Sequence, residues 1–217
     1  MNNTMIWLAA WLTVVLLVAY EIVLFGLARR QPTRLARAAH ANLREQWFIA
    51  ISRQSGSEIL AVQTLRNSVM SATMTASTAM LGLIGAVTLS APSLHASLGA
   101  ADISGIDFTP RLALELVLMT ILFASLLCSA MAVRYYTHAA FISSMPVESE
   151  ERSRWSATAI IYLRRAGLLY SWGLRHLLMV APILAAIAYP AAGPPAALVL
   201  IATLAGFDRF GHNDDRD

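Results

Sequence analysis

Apolar positions along the 217-residue chain gather in long runs rather than in alternating stripes. Three of these runs, Met5 to Ala28, Val69 to Ser90 and Ala113 to Val133, reach the roughly 20 residues that a helix needs to cross a hydrocarbon core about 30 Å thick. Peptide groups find no water in that core, so each run predicts a spanning helix with its hydrogen bonds closed internally. The last apolar region is interrupted. Pro182 and Pro190 break Leu177 to Ala192, and Pro195 to Phe207 holds only 13 residues, about 20 Å at helical rise. Five crossings fit if the fourth helix starts earlier and a short fifth returns after Gly193-Pro194-Pro195; a re-entrant hairpin is the other arrangement. Pro195 suits a helix start, where its missing N–H does no harm. The expectation is an all-α, polytopic transmembrane bundle of four to five helices forming a single membrane domain. Its membrane segments are about 5–28, 69–90, 113–133, 170–191 and 195–207.

The intervening stretches are patterned too. Leu35, Ala39, Leu43, Trp47 and Ile51 recur at near-helical spacing with Arg34, Arg37, Arg44 and Glu45 between them, which predicts an amphipathic surface helix over 35–52. Ser55-Gly56-Ser57-Glu58 has the form of a capping box, with Ser55 as N-cap, and predicts one long helix from about Gly56 through Ser90. After Pro146, Ser149 can cap a second helix running toward Arg165, with Glu150 and Glu151 at the positive end of its dipole. Trp155, Tyr162, Tyr170 and Trp172 interleave with Arg154, Arg164, Arg165 and Arg175, a pairing that belongs at headgroup level rather than on nucleic acid.

Composition agrees: 57% of residues are hydrophobic and 13% charged, against about 25% charged in a soluble domain, so no room is left for a large soluble module. All 16 basic residues are arginine, which reflects codon usage before chemistry. Their distribution sets the expected orientation. Seven lie between Arg29 and Arg66 and six between Arg134 and Arg175, whereas Ala91 to Leu112 holds only Arg111, beside Asp102 and Asp107. By the excess of positive charge on cytoplasmic loops, 29–68 and 134–169 face the cytoplasm and its anionic headgroups. The N-terminus is then outside and the tail with Arg209 and Arg216 inside. The single cysteine, Cys128, allows no intrachain disulfide. The first run has no basic residue before it and no small-residue cleavage site after it, so it is expected to remain in the mature chain.

Candidate chemistry is sparse. Gln63, Asn67, Ser71 and Thr75 recur every four residues and are expected to share one face of the second spanning helix, either packed against protein or lining a hydrated path. Glu21 falls inside the first span, where a lone charge costs a few kcal/mol and asks for a partner. Arg66 is the first candidate, with Arg134 and Arg175 as rivals at similar depth. Glu115 is expected to be a wetted interfacial carboxylate. His40, His138 and His176 fall near helix ends without metal-ligand spacing, and no glycine-rich phosphate loop or nucleophile elbow is present, so no metal or cofactor is expected.

Asn42-Leu43-Arg44 with Trp47, the string Ile59-Leu60-Ala61-Val62-Gln63-Thr64-Leu65-Arg66-Asn67-Ser68, then Ala72-Thr73 and Ala76-Ser77-Thr78, resemble the signature of a membrane family catalogued as domain of unknown function 599. Arg134-Tyr135-Tyr136 with His138 and Phe141, Gly173-Leu174-Arg175, the closing Gly-Pro turn and Asp208 are similar too. Glu21 follows Tyr20 where that family often has histidine, so the resemblance assigns Glu21 no shared role. It implies a polytopic fold, with a bacterial inner membrane as the expected location, and supplies no activity. Three function classes follow: a membrane scaffold or accessory subunit, favoured by the absence of a catalytic constellation; a small-solute or ion transporter using the polar stripe; and a lipid-modifying enzyme recruiting His138, Arg134 and Tyr135. A homo-oligomer or a membrane protein partner is compatible with each.

Overall fold

The computed structural model describes residues 2–30, 36–98 and 108–208. Arg34, Asp102, Asp107, Arg209 and Arg216, on which part of the orientation count rests, lie outside the described residues. The elements are α1 (Asn3–Arg30), α2 (Ala36–Ile51), α3 (Glu58–Leu98), α4 (Pro110–Ser143), α5 (Glu150–Ala188), a 3-10 turn (Pro190–Ala192) and α6 (Gly193–Asp208). Among the described residues there is no strand. Five helical stretches, α1, α3, α4, α5 and Pro190–Asp208, are long and apolar enough to cross a membrane. α3 has 41 residues and α5 has 39, close to 60 Å each at helical rise and about twice the hydrocarbon thickness. Their first turns, from Glu58 and from Glu150, therefore lie beyond the apolar stretches that span.

The break expected at Pro182 is absent. α5 runs through this proline, which is fully buried and flanked by the buried Met179, Ile183 and Ala186. Packing on both sides holds the helix where propensity alone would end it. What ends α5 is Pro190: the preceding Tyr189 is extended, with φ −148° and ψ 107°, because the proline ring disfavours a helical residue before it. The turn thus falls on Pro190–Ala192, three residues before the expected Gly193-Pro194-Pro195. Gly193 opens α6 instead, and its missing side chain matters. A Cβ there would lie 2.4 Å from Thr13 Oγ1 and 2.6 Å from Ala186 Cβ.

The chain divides into two compact units. The first comprises Met1–Arg30, Thr78–Ala124 and Arg175–Phe207. Leu17, Leu114, Leu118, Leu122, Met179 and Ile183 form its core with Ala10, Ala86, Ala186 and Ala197, small residues that let helices approach closely without a hydrophobic drive from lipid. Glu115, expected to be wetted, is fully buried here. It accepts hydrogen bonds from Ser93 Oγ and from Arg111 Nε at 3.0 Å. Those two donors replace the water that a carboxylate at a helix end would otherwise take.

The second unit comprises Gln31–Ser77, Ser125–Leu174 and Asp208–Asp217. Its core is more aromatic: Phe48, Tyr136, Leu65, Ile142 and Leu163, with Trp47, Tyr135, Tyr162 and Tyr170 packed around it. The amphipathic helix expected over 35–52 is α2, but its inward face is turned. Phe48 and Ile51 are buried and Arg44 half-buried, while Leu43, assigned to the apolar face, is 62% exposed. Gly56 makes the turn into α3 with φ +83°, a conformation L side chains rarely adopt. The capping box does not form. Ser57 Oγ donates back to the carbonyls of Ile51 (2.8 Å) and Gln54 (2.7 Å), and Glu58 accepts the N–H of Val147 at 3.0 Å. A partner distant in sequence has outcompeted the local one. Ser149 does cap α5, its Oγ accepting the Arg152 N–H at 3.2 Å.

Arg152 joins the parts of this unit. Fully buried, it donates from Nη1 to the carbonyls of Ser143 and Met145, 2.7 Å each, and lies 5.9 Å from the centroid of the Phe48 ring. It thereby satisfies carbonyls that the end of α4 leaves without helical donors. Further along, Ser125 Oγ donates to the carbonyl of Gly173 at 2.7 Å, and a Cβ on Gly173 would come within 2.3 Å of Ser129 Oγ. α4 and α5 touch here backbone to side chain.

Candidate functional site

Two polar places come from the sequence candidates, one in each unit. In the first unit, Glu21 on α1 meets Arg175 on α5, with Oε1 and Nη1 3.6 Å apart. That separation is an ion pair and too long for a direct hydrogen bond. Arg175 is buried and its guanidinium carbon stands 5.8 Å from the centre of the Tyr20 ring. The partner of Glu21 is thus Arg175 rather than Arg66. Arg66 is exposed and forms no ion pair among the described residues. Helical phase explains the choice, because Arg66 follows the buried Leu65 by one residue and so points about 100° away from the packed face of α3. An ion pair of this kind offsets both charges and ties α1 to α5.

The second place is the polar part of α3. Gln63, Asn67 and Ser71 are exposed, whereas Thr75 is buried, so the four do not share a face. Four residues advance a helix about 40° beyond a full turn, and three such steps carry the stripe about 120° around the axis. The face that packs is a different one: Ala61, Leu65, Ala72, Thr75, Ala79, Ala86 and Ser90 are the buried positions, mostly small. Between these faces opens a hollow of about 340 Å³, lined by Thr64, Asn67, Ser68, Ser71, Tyr136 and Tyr170. The hydroxyls of Thr64, Ser68 and Ser71 are turned onto carbonyls of their own helix, those of Leu60, Thr64 and Asn67. Glu21 and Gln63 take no part in the lining.

Arg134 and His138 are both exposed on α4. The His138 ring lies 5.9 Å from that of Tyr162, which in turn lies 5.5 Å from Tyr135. Arg165 stands over Tyr135 at 5.9 Å, and Arg164 pairs with Glu45 at 3.4 Å. His138, Arg134 and Tyr135 therefore sit on an aromatic and basic surface, and among the described residues no hydrogen bond joins a nucleophile to a base there. Among the described residues no group of three or more His, Cys, Asp or Glu could hold a metal ion.

Sequence reasoning gave Arg44 only as a polar position of the surface helix and Glu58 only as part of a capping box, and it passed over Arg152. Arg152 carried a signal: it is the third residue of α5, where a positive charge opposes the helix dipole. Glu58 belongs at a helix start for the same electrostatic reason, yet its actual partner, Val147, is visible only in the fold. Hydrogen bonds from its own N–H and from that of Val147 hold its carboxyl below the usual glutamate range.

These features define a polytopic α-helical membrane protein with small-residue helix packing and charges matched inside the bundle. The chain belongs to the family described as protein of unknown function, DUF599, whose model matches residues 8–213. Comparison with curated proteins and with solved structures gave no match.

Proposed function

We propose that the protein is a membrane scaffold or accessory subunit that docks other proteins on its second unit. The observation that carries this reading is a set of large apolar side chains left uncovered outside the apolar runs that the sequence expects to span, 69–90, 113–133 and 170–191. Ile59 is 72% exposed, Phe141 64%, Leu43 62% and Leu60 59%, with Ile161 and Trp155 close to half. Lipid tails cover such groups within a span, but these lie in the arginine-rich stretches 29–68 and 134–169. Apolar patches of this sort, rimmed by charge, mark sites where another protein or a membrane surface sits. The buried charges point the same way, since Glu21, Arg175, Glu115 and Arg152 are each engaged in joining helices.

The test is native electrophoresis of the protein extracted in mild detergent, comparing wild type with Ile59→Glu and Phe141→Glu. Docking predicts a species larger than the protomer that both substitutions dissolve while the melting temperature holds. A single protomer-sized species in the wild type sinks the reading. Transport is separated by placing single cysteines at Gln63, Asn67, Ser71 and Thr75 in a Cys128→Ser background: a water-soluble thiol reagent that reaches Thr75 indicates a hydrated path, and labelling that stops before it indicates packed protein.

A further inference from the structure

Four helices of the second unit meet at the hollow and its surroundings. Its lining comes from α3, α4 and α5. α2 adds Arg44, whose guanidinium packs against Gly167, where a Cβ would come within 2.2 Å of its central carbon. This glycine is what makes room for the group. Gly167 precedes Tyr170, in the wall of the hollow, by three residues on α5, so Arg44 stands about one helical turn from that wall, just outside the lining itself. Its Nε is buried without a hydrogen-bond partner, and no carboxylate among the described residues pairs with it. A buried guanidinium donor left unmade is costly, and its planar fork matches an oxyanion.

Position narrows the class of anion. The lining residues lie at 64–71, 136 and 170, and the apolar spans begin at 69, end at 133 and begin at 170. Every wall of the hollow is therefore at the edge of a span, the depth of phospholipid phosphates, and on the arginine-rich side. We infer that this hollow is a binding site for a phosphate group, held by Arg44 together with Asn67, Tyr136 and Tyr170. Asn67 and the two tyrosines offer donors directly. Ser68 and Ser71 add theirs by turning their hydroxyls off the carbonyls of Thr64 and Asn67. The phosphate belongs either to an anionic lipid headgroup or to a free ion, and the site stands independently of the docking surface, whose side chains do not line it.

The experiment uses the full chain in an uncharged detergent. Short-chain phosphatidylglycerol, a chain-matched uncharged monoacylglycerol and inorganic phosphate are each titrated while the melting temperature is read. Arg44→Gln should weaken the saturable shift at least about tenfold, as loss of a charge-assisted bond does. Arg53→Gln, an exposed arginine of the same unit, should leave it unchanged. Gly167→Ala, which keeps every charge but displaces the guanidinium, and Asn67→Leu, on an exposed position, give the same readout if Arg44→Gln does not fold. Saturation by phosphatidylglycerol alone assigns the site to a lipid headgroup; saturation by inorganic phosphate as well assigns it to the free ion. The inference is overturned if neither saturates, if the uncharged lipid acts equally, or if the Arg44 and Arg53 variants behave alike.

Discussion

The two units of this chain treat buried charge differently. In the first, each buried ionised group has a counter-charge: Glu21 faces Arg175, and Glu115 faces Arg111. In the second, the buried Arg152 rests on the carbonyls of Ser143 and Met145 and on the Phe48 ring, and the ion pair of Arg164 with Glu45 lies at the surface. Hydrocarbon leaves a lone charge unscreened, so neutrality has to be reached within the span. The same residue type thus pairs with a carboxylate in the core of one unit and caps a helix end in the core of the other.

Removing Arg152 should have the largest effect. Arg152→Ala strips donors from two buried carbonyls and empties a fully buried volume, so a loss of about 3–5 kcal/mol is expected in denaturant unfolding. The shortest hydrogen bonds of Arg152 go to carbonyls, and Glu58 acts on it only through space, so removing Glu58 as well should not restore the stability. Arg175→Met tests the opposite case. It leaves Glu21 charged and uncompensated, a similar cost of about 3–5 kcal/mol, but Glu21→Met in the same chain should restore most of the stability. If the double variant is as unstable as Arg175→Met, charge matching is not what the first unit relies on.

A smaller loss, about 1–3 kcal/mol, is expected for Gly173→Ala, whose Cβ collides with Ser129 Oγ at the contact between α4 and α5. Adding Ser129→Gly should recover it, and a thermal melt of the pair decides. Smallest is the acid response of Glu58. Its folded carboxyl titrates below the ordinary value of 4.5, so its contribution is fully present above that value and fades as the pH falls through the lower folded one. Glu58→Gln should flatten that part of the acid-stability curve and lower neutral stability by the same small contribution; an unaltered curve removes Glu58 from the account.

Much of the architecture could be read from hydrophobic run length, because a spanning helix must close its own hydrogen bonds and needs a set number of apolar residues to do so. The extents of α1 and α2, the cap at Ser149 and the family all follow from local sequence, and the helical membrane fold is borne out. What misled were local rules that a distant partner overrode. Pro182 is carried through α5 by packing on both sides, Glu58 leaves its capping box for Val147, and Glu115 trades water for Ser93 and Arg111. The stripe on α3 misled for a geometric reason, since a four-residue spacing winds around a helix of 3.6 residues per turn.

Sequence alone determined that the chain is helical, where it is apolar, and where its arginines gather, since those depend on each residue's own solvation and on neighbours a few positions away. Only the tertiary structure decided that Glu21 meets Arg175, that Arg152 closes the end of α4, and that Arg44 lies against Gly167. Such pairings join positions up to 154 residues apart, and which of several arginines at similar depth reaches a given carboxylate is set by helix rotation and packing, which no local pattern encodes.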